Sequence, residues 1–489
     1  MKKINELFDV KEDFKIVSLH SDSRYVGKDS VFFCIEGLST DGHKYADDAV
    51  FQGAKCIVHS KPFKREYPGV LYIKVNNVLD ELNRVANIFY DYPSYKMTII
   101  GVTGTSGKTL VSLMVKDVLN HYIKMGYIGT NDSQFGSSSI HTAFTTPETI
   151  FLHKTFARMV EEGVKGVSLE VSSYGLVLKR VDSVDFDIAV MTNIYEEHLD
   201  FHGTMENLMK AKLKLLELVS DKGYAVLNAD QVRFMHFIEQ NGKINAQKIT
   251  YGIEHHADVM ARNISVFFDH TEFDLYLPGG FFHVSVPILG RFNVPHVLAV
   301  ISSLIALEMT TEQIIESIGY IIPIDGRMEL IEDIDDFHVI VDYCSYLHNY
   351  EDAFLFAREV KGNGRIIAVF GPGSRDDQEK IRKLGLLADK YCDQVILTQQ
   401  DADEDDIEEN CIQLQQYITR PVSVILTNRR IAIRQAVELA CKNDIILVLG
   451  KGHEQFMISS MGNIPYPGDK FVVKQAIKDV FKGGNVYEI

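Results

Sequence analysis

The nine residues Gly101-Val102-Thr103-Gly104-Thr105-Ser106-Gly107-Lys108-Thr109 constrain this chain more than any other stretch. Ahead of them Met97-Thr98-Ile99-Ile100 has the pattern of a short buried strand. Behind them Val111, Met114, Val115, Val118 and Tyr122 recur at helical spacing. Strand, glycine-rich turn and helix N-terminus, in that order, form the setting of a nucleotide phosphate cradle. Glycines let backbone N–H groups close around phosphate oxygens, and the helix N-terminus adds partial positive charge. In such a loop Lys108 reaches the terminal phosphates and the Thr109 hydroxyl holds a magnesium ion. The spacing is a variant, because position 102, glycine in the standard loop, is valine; glycines fall instead at 101, 104 and 107. The bland alternative is a glycine turn with no function.

At 489 residues the chain exceeds one core, so about two to four domains are expected. No apolar run approaches the roughly eighteen residues of a membrane span, and the N-terminus lacks the apolar segment of a secretory signal. With a net charge of −17, neither a membrane nor nucleic acid is expected as a partner. Six scattered cysteines form no CxxC pair, which favours free thiols in a reducing cytoplasm over a zinc site.

Residues 1–94 carry strand-like runs at 15–19, 31–35, 56–59 and 71–75, then a helical pattern at 80–90. Asp91–Tyr95 reads as a linker. From 95 to 322 strands and helices alternate, as a mostly parallel sheet demands. Thr146-Pro147 reads as a helix start with Thr146 as N-cap, and 258–289 as an antiparallel insertion. A second linker at 321–326 precedes apolar runs at 338–341, 366–370, 394–397, 422–426 and 445–449, the pattern of a second doubly wound sheet. The expected fold is α/β in three domains, 1–94, 95–322 and 323–489.

Several polar residues sit near expected strand ends, where ligands of α/β sheets gather. Gly166–Leu169 runs into Glu170, followed by Ser172, Ser173 and Arg180. Ala189–Met191 runs into Thr192-Asn193 and then Glu196-Glu197-His198. On spacing alone Glu170 is a magnesium ligand or a solvated carboxylate. A lone His198 reads as structural, and Lys212, between Lys210 and Lys214, as a surface lysine.

The loop GVTGTSGKT resembles the GxxGTxGKT signature of the Mur ligases, ATP-dependent amide ligases of peptidoglycan precursor synthesis. Further blocks are similar to the MurE type of that family, in order and at compatible spacing. They are Asp22-Ser23-Arg24 with Asp41-Gly42-His43, Thr145-Thr146-Pro147, Glu170-Val171-Ser172-Ser173 with Arg180-Val181, and Thr192-Asn193 with His198 to Thr204. Ala211-Lys212, Gly290–Asn293, Gly326–Glu329, Val341–Tyr343 and Gly450–Glu454 continue the series.

The resemblance implies a central ATP-binding domain between an N-terminal UDP-substrate domain and a C-terminal Rossmann-like domain. It implies ATP and Mg2+ as cofactors, with a UDP-N-acetylmuramoyl dipeptide and a free amino acid as partners, in a cytoplasmic monomer. The carboxylate would be phosphorylated by ATP and the acyl phosphate then attacked by an amine. Gly104, Thr105, Ser106, Gly107, Lys108 and Thr109 would cradle the ATP phosphates. Arg327 would address them too, and Asn293 and Asp342 the nucleoside. Thr109 and Glu170 would hold one magnesium, and His198 with Lys212, as a carbamate, the second. Lys108, Lys212 and His198 would be catalytic. Ser23, His43, Thr145, Thr146, Ser172 and Arg180 would bind the UDP substrate; Asp401, Asp403, Gly450 and Glu454 complete the substrate-binding set.

The departures are informative. The family's aspartate before His-Leu-Asp is Glu197, its Asn-x-x-Asn reads Asn293-Val294-Pro295-His296, and its DYAHTPD reads Asp342-Tyr343-Cys344-Ser345-Tyr346-Leu347-His348. Diaminopimelate-adding members have DNPR after a strand, its arginine pairing with the distal carboxylate. Here Gln399-Gln400-Asp401-Ala402-Asp403-Glu404 follows the strand, with Asp403 at the arginine position. An acidic group there repels a second carboxylate and favours a distal ammonium, hence L-lysine or ornithine over meso-diaminopimelate. Two rivals stand beside this reading. A folylpolyglutamate synthetase shares the loop but lacks a uridine-nucleotide domain. A non-catalytic nucleotide-binding relative would fit the eroded C-terminal motifs.

Overall fold

The computed structural model describes residues 1–37, 40–130, 132–331, 333–334, 336–373, 376–401, 407–459 and 462–481. It packs as two compact units, Met1–Met260 with Pro295–Tyr320, and Ala261–Val294 with Ile321–Ile489.

The first unit opens with a parallel sheet of Ser18–His20, Ser30–Phe33, Ala54–His59 and Leu71–Lys74. Val31, Phe33, Cys56 and Val58 bury one face of it in a core shared with Leu82, Val85, Ala86 and Phe89 of the helix Val78–Phe89. That helix starts two residues before the expected position, because the Asn77 side chain accepts from the N–H groups of Leu79 and Asp80. Its Asn83 ties it to the chain around Arg180: Nδ2 donates to the Lys179 carbonyl at 2.8 Å, and Oδ1 accepts from Ser183 Oγ at 2.9 Å. Ser183 Oγ is also 2.8 Å from Nε2 of His153, which burial pushes down to about 4 and so keeps neutral.

The larger sheet of this unit runs, from one edge, Ser138–Ile140, Asp132–Phe135, Met125–Gly129, Gly166–Glu170, Thr98–Thr103, Phe186–Met191, Val219–Asn228 and Gln247–Gly252. The first two strands pair antiparallel and the rest are parallel. Thr98–Thr103 is therefore central, and the loop it feeds emerges at the carboxyl edge of a parallel sheet, where such folds bind ligands. Gly101 lies within this strand. A Cβ there would come within 2.6 Å of the Phe186 ring, so Gly101 is a packing glycine and not part of the phosphate cradle.

Thr146 does not cap the helix that follows it, contrary to the expectation from sequence. The helix after Thr146-Pro147 is Thr149–Glu161 with Glu148 at its N-cap position. Thr146 is drawn elsewhere: its hydroxyl bonds the Glu170 carbonyl at 2.9 Å and accepts from Ser172 N at 2.8 Å.

In the second unit the five apolar runs are parallel strands in the order His338–Asp342, Ile445–Leu449, Ile366–Phe370, Gln394–Leu397, Val422–Ile425, with Glu329–Ile331 antiparallel at one edge. The insertion read at 258–289 contains the antiparallel hairpin Thr271–Leu277 and Gly280–Val286. Val266, Phe268, Leu289 and Phe292 pack this region onto the same core as Ile340, Ala368 and Leu447. Beneath the carboxyl end of Ile445–Leu449 lies a buried ion pair. Arg429 Nε and Nη2 meet Asp469 at 2.7 and 2.6 Å, Arg429 also donates to the Leu449 carbonyl, and Tyr466 OH donates to Asp469. Arg429→Met leaves the Asp469 charge buried without its partner, so urea denaturation is expected to lose about 3–5 kcal/mol.

Candidate active site

The strand Thr98–Thr103 ends in Gly104 at φ +152°, the loop turns at Gly107 (φ +80°), and the helix Lys108–Leu119 begins. Both glycines are sterically required. A Cβ on Gly104 would lie 1.8 Å from Thr192 Oγ1, and one on Gly107 would lie 2.1 Å from His296 Nε2. Lys108 Nζ donates to the carbonyls of Gly104 and Thr105 at 2.9 and 3.0 Å, which holds the ammonium on the loop itself.

Thr109 and Glu170 are brought together. Thr109 Oγ1 donates to Glu170 Oε2 at 3.0 Å, and Glu170 is fully buried, which removes the solvated-carboxylate reading. Its other donors are Tyr127 OH, Thr130 N (3.1 Å) and Thr130 Oγ1 (3.2 Å). A carboxylate and a hydroxyl side by side are hard oxygen ligands that suit magnesium. Sequence reasoning missed Tyr127 and Thr130. Thr130 alone carried a signal, being the first residue past a parallel strand.

Lys212 is 1% exposed, on the inner face of the helix Met205–Leu218, so it is not a surface lysine. Burial, then the charge of Lys108, push its amine down to about 7, while Glu197 acts in the opposite direction. Glu197 in turn pairs with His198 Nε2 at 2.7 Å, so this carboxylate is the neighbour common to both residues. His198 has φ +51° and is flanked edge-on by the Tyr174 ring at 5.1 Å. Among the described residues no three histidine, cysteine, aspartate or glutamate side chains form a metal-ligating group. The residues that the structure brings together and that suit a divalent cation are Thr109 and Glu170.

Near them, Thr145 Oγ1 lies 3.2 Å from Thr130 Oγ1, and Ser172 Oγ caps the next helix by accepting from Gly175 N. Arg180 Nη1 donates to the Thr146 carbonyl at 2.8 Å, and its guanidinium lies 4.3 Å from the Phe144 ring centroid. In the N-terminal sheet region Ser23 is buried. His43 Nδ1 lies 2.6 Å from Asp41 and its Nε2 accepts from the N–H groups of Ser60 and Lys61. Both imidazole nitrogens are thus engaged within the protein.

The remaining candidates lie in the second unit. Asn293 Nδ2 donates to the Leu289 carbonyl, and Arg327 lies over the Tyr343 ring at 4.6 Å. Asp342 accepts from Met328 N (2.6 Å) and Cys344 Sγ, and burial raises its carboxyl above the ordinary range. Asp401 and Glu454 share the fully buried Lys451 ammonium, Asp401 at 2.9 Å. Gly450 carries φ +116° against the Gln400 side chain. Asp403 falls outside the described residues.

A glycine loop at the carboxyl edge of a parallel sheet, with a lysine and a hydroxyl–carboxylate pair at its helix end, defines an α/β nucleotide-dependent enzyme. Three family models match in succession: the Mur ligase family catalytic domain over residues 15–90, the Mur ligase middle domain over 102–304, and the Mur ligase glutamate ligase domain over 326–452. The chain is 35% identical over 489 residues to the UDP-N-acetylmuramoyl-L-alanyl-D-glutamate–2,6-diaminopimelate ligase of Caldanaerobacter subterraneus subsp. tengcongensis, covering 98% of this chain and 99% of that one. It is 36% identical over 447 residues to the ligase of the same name from Alkaliphilus metalliredigens, covering 91% and 90%. A solved structure of a ligase with that name aligns over 99% of both chains, at a TM-score of 0.72 and 24% identity. MurF from Thermotoga maritima in complex with ADP aligns at 0.65 and 16% identity, covering 95% of this chain and 97% of that one. The chain therefore belongs to the Mur ligase family, the ATP-dependent amide ligases of peptidoglycan synthesis, and has their three-domain α/β fold. No described helix is long and apolar enough to cross a membrane.

Proposed function

We propose that this chain joins a diamino acid to UDP-N-acetylmuramoyl-L-alanyl-D-glutamate in the cytoplasm, cleaving ATP to ADP and phosphate. Residues 1–94 would receive the uridine nucleotide, 95–322 ATP, and 323–489 the amino acid. A carboxylate is a poor electrophile, so the γ-phosphoryl group is first transferred to one of its oxygens. The amine then attacks the acyl carbon, and the tetrahedral intermediate expels phosphate and leaves the amide.

The single observation that carries this reading is the buried Lys212 beside the phosphate loop. An amine pushed down to about 7 is substantially neutral at physiological pH, the form that adds carbon dioxide to give a carbamate. Thr109 and Glu170 would hold one magnesium ion, and His198 and the carbamate of Lys212 a second. When bound, the ions supply positive charge that offsets the repulsion between ATP and the substrate carboxylate. Lys108 holds its ammonium where phosphate charge develops. Ser172, Thr145, Thr146 and Arg180 would orient the substrate carboxylate end. His43, its nitrogens engaged, would order the uridine loop and offer only its ring face.

For the amine, our reading is L-lysine. Asp401 and Glu454 outnumber the one lysine they share, and the sequence from 401 to 406 carries five acidic residues, Asp401, Asp403, Glu404, Asp405 and Asp406, and no arginine. Such surroundings favour a distal ammonium over a distal carboxylate. The names of the relatives favour the second reading, 2,6-diaminopimelate. Equimolar lysine, ornithine and meso-diaminopimelate offered together, with products resolved by mass, decide between them. Lysine is expected to dominate by about tenfold or more, the scale of one uncompensated charge contact. A product containing only diaminopimelate would overturn the lysine reading and leave the ligase standing.

A further inference from the structure

Thr192 and Asn193 follow the strand Phe186–Met191 and bond five polar atoms of the segment Thr103–Ser106. Thr192 N donates to the Thr103 carbonyl at 3.0 Å, and Thr192 Oγ1 donates to the Ser106 carbonyl at 2.6 Å. The Asn193 carbonyl accepts from Thr105 N at 3.0 Å and its Oδ1 from Ser106 N at 2.9 Å; its Nδ2 donates to Ser106 Oγ at 3.1 Å. The pair is itself braced, since Asn228 Nδ2 donates to the Thr192 carbonyl and the buried Tyr251 OH donates to the Met191 carbonyl.

These bonds have a consequence for phosphate binding. The N–H groups of Thr105 and Ser106, which a phosphate-binding loop ordinarily turns toward its ligand, are turned toward Asn193. The first intrahelical bond runs from Val111 N to the Gly107 carbonyl, so the N–H groups of Lys108, Thr109 and Leu110 have no partner within the helix. We propose that Thr192-Asn193 is a positioning pair for ATP. It fixes the 103–106 side of the loop, so that the phosphates are met at the helix end, by the N–H groups of Lys108 and Thr109 and the Lys108 ammonium. The proposal rests on the ATP-dependent reading of the site. It also accounts for Gly104, whose missing Cβ is the space the Thr192 hydroxyl fills.

The test is Thr192→Val, which keeps the shape and removes the hydroxyl, beside Thr192→Ser, which restores it. Affinities for MgADP and for UDP-N-acetylmuramoyl-L-alanyl-D-glutamate are measured by calorimetry on the full chain. Thr192→Val leaves the Ser106 carbonyl without its donor, so MgADP binding is expected to weaken about tenfold while the uridine substrate binds as in the wild type. Thr192→Ser is expected to recover MgADP binding. Unchanged MgADP affinity in Thr192→Val, or equal loss of both ligands, overturns the proposal. If Thr192→Val does not fold, Asn193→Ala gives the same comparison. A wild-type chain that binds no MgADP would instead overturn the nucleotide reading.

Discussion

Lys212→Ala is expected to lose amide-forming activity by a factor on the order of a thousand, with the fold retained. The side chain is 1% exposed and its charge interacts with Lys108 and Glu197, so its removal alters the phosphate end of the site and little else. A structural lysine would leave a cavity that no small molecule could repair functionally. A carbamate leaves a cavity shaped for a carboxylate, so acetate or formate is expected to restore part of the activity to Lys212→Ala. The pH dependence follows from the amine. Its folded value lies below the ordinary 10.5, so the neutral form gains as pH rises through about 7. Wild-type activity is expected to fall below that pH and to be partly recovered there by added bicarbonate. Full activity in Lys212→Ala would contradict the assignment.

The second large effect is Gly104→Ala, which is expected to weaken MgADP binding by about a hundredfold or more. The new Cβ would meet Thr192 Oγ1 at 1.8 Å, and the Asn193 backbone at 3.1 Å, in a backbone conformation of φ +152° that L residues rarely adopt. Each of these costs on the order of 1–3 kcal/mol, and the loop must shift to relieve them. Gly101→Ala is the contrast. Its Cβ would press on the Phe186 ring and Leu215 within the core, so stability falls by about 1–3 kcal/mol while the loop keeps its shape. Calorimetric MgADP titrations and thermal melts on both variants separate the two roles.

How much of this was legible in the sequence depends on whether the information is local. The loop was legible because glycine spacing encodes backbone geometry, and the five strands of the second unit because buried parallel strands read as apolar runs. Lys212 was not. Lys210, Lys212 and Lys214 look alike in sequence, yet helical steps turn Lys210 to Glu206 and Lys214 to Asp182 while Lys212 points inward. Tyr127 could not be found beside Glu170 because adjacency of the strands Met125–Gly129 and Gly166–Glu170 is a matter of sheet order. Thr146 misled because threonine before proline marks a helix start, whereas here the hydroxyl is held by Glu170 and Ser172.

On the proposed mechanism the substrate carboxylate is activated by phosphoryl transfer before the amine arrives. Substrate labelled with heavy oxygen in its carboxylates tests it most directly, with the released phosphate examined by mass spectrometry. Transfer of one labelled oxygen into phosphate per amide formed is the predicted result. Amide formation with unlabelled phosphate would contradict it.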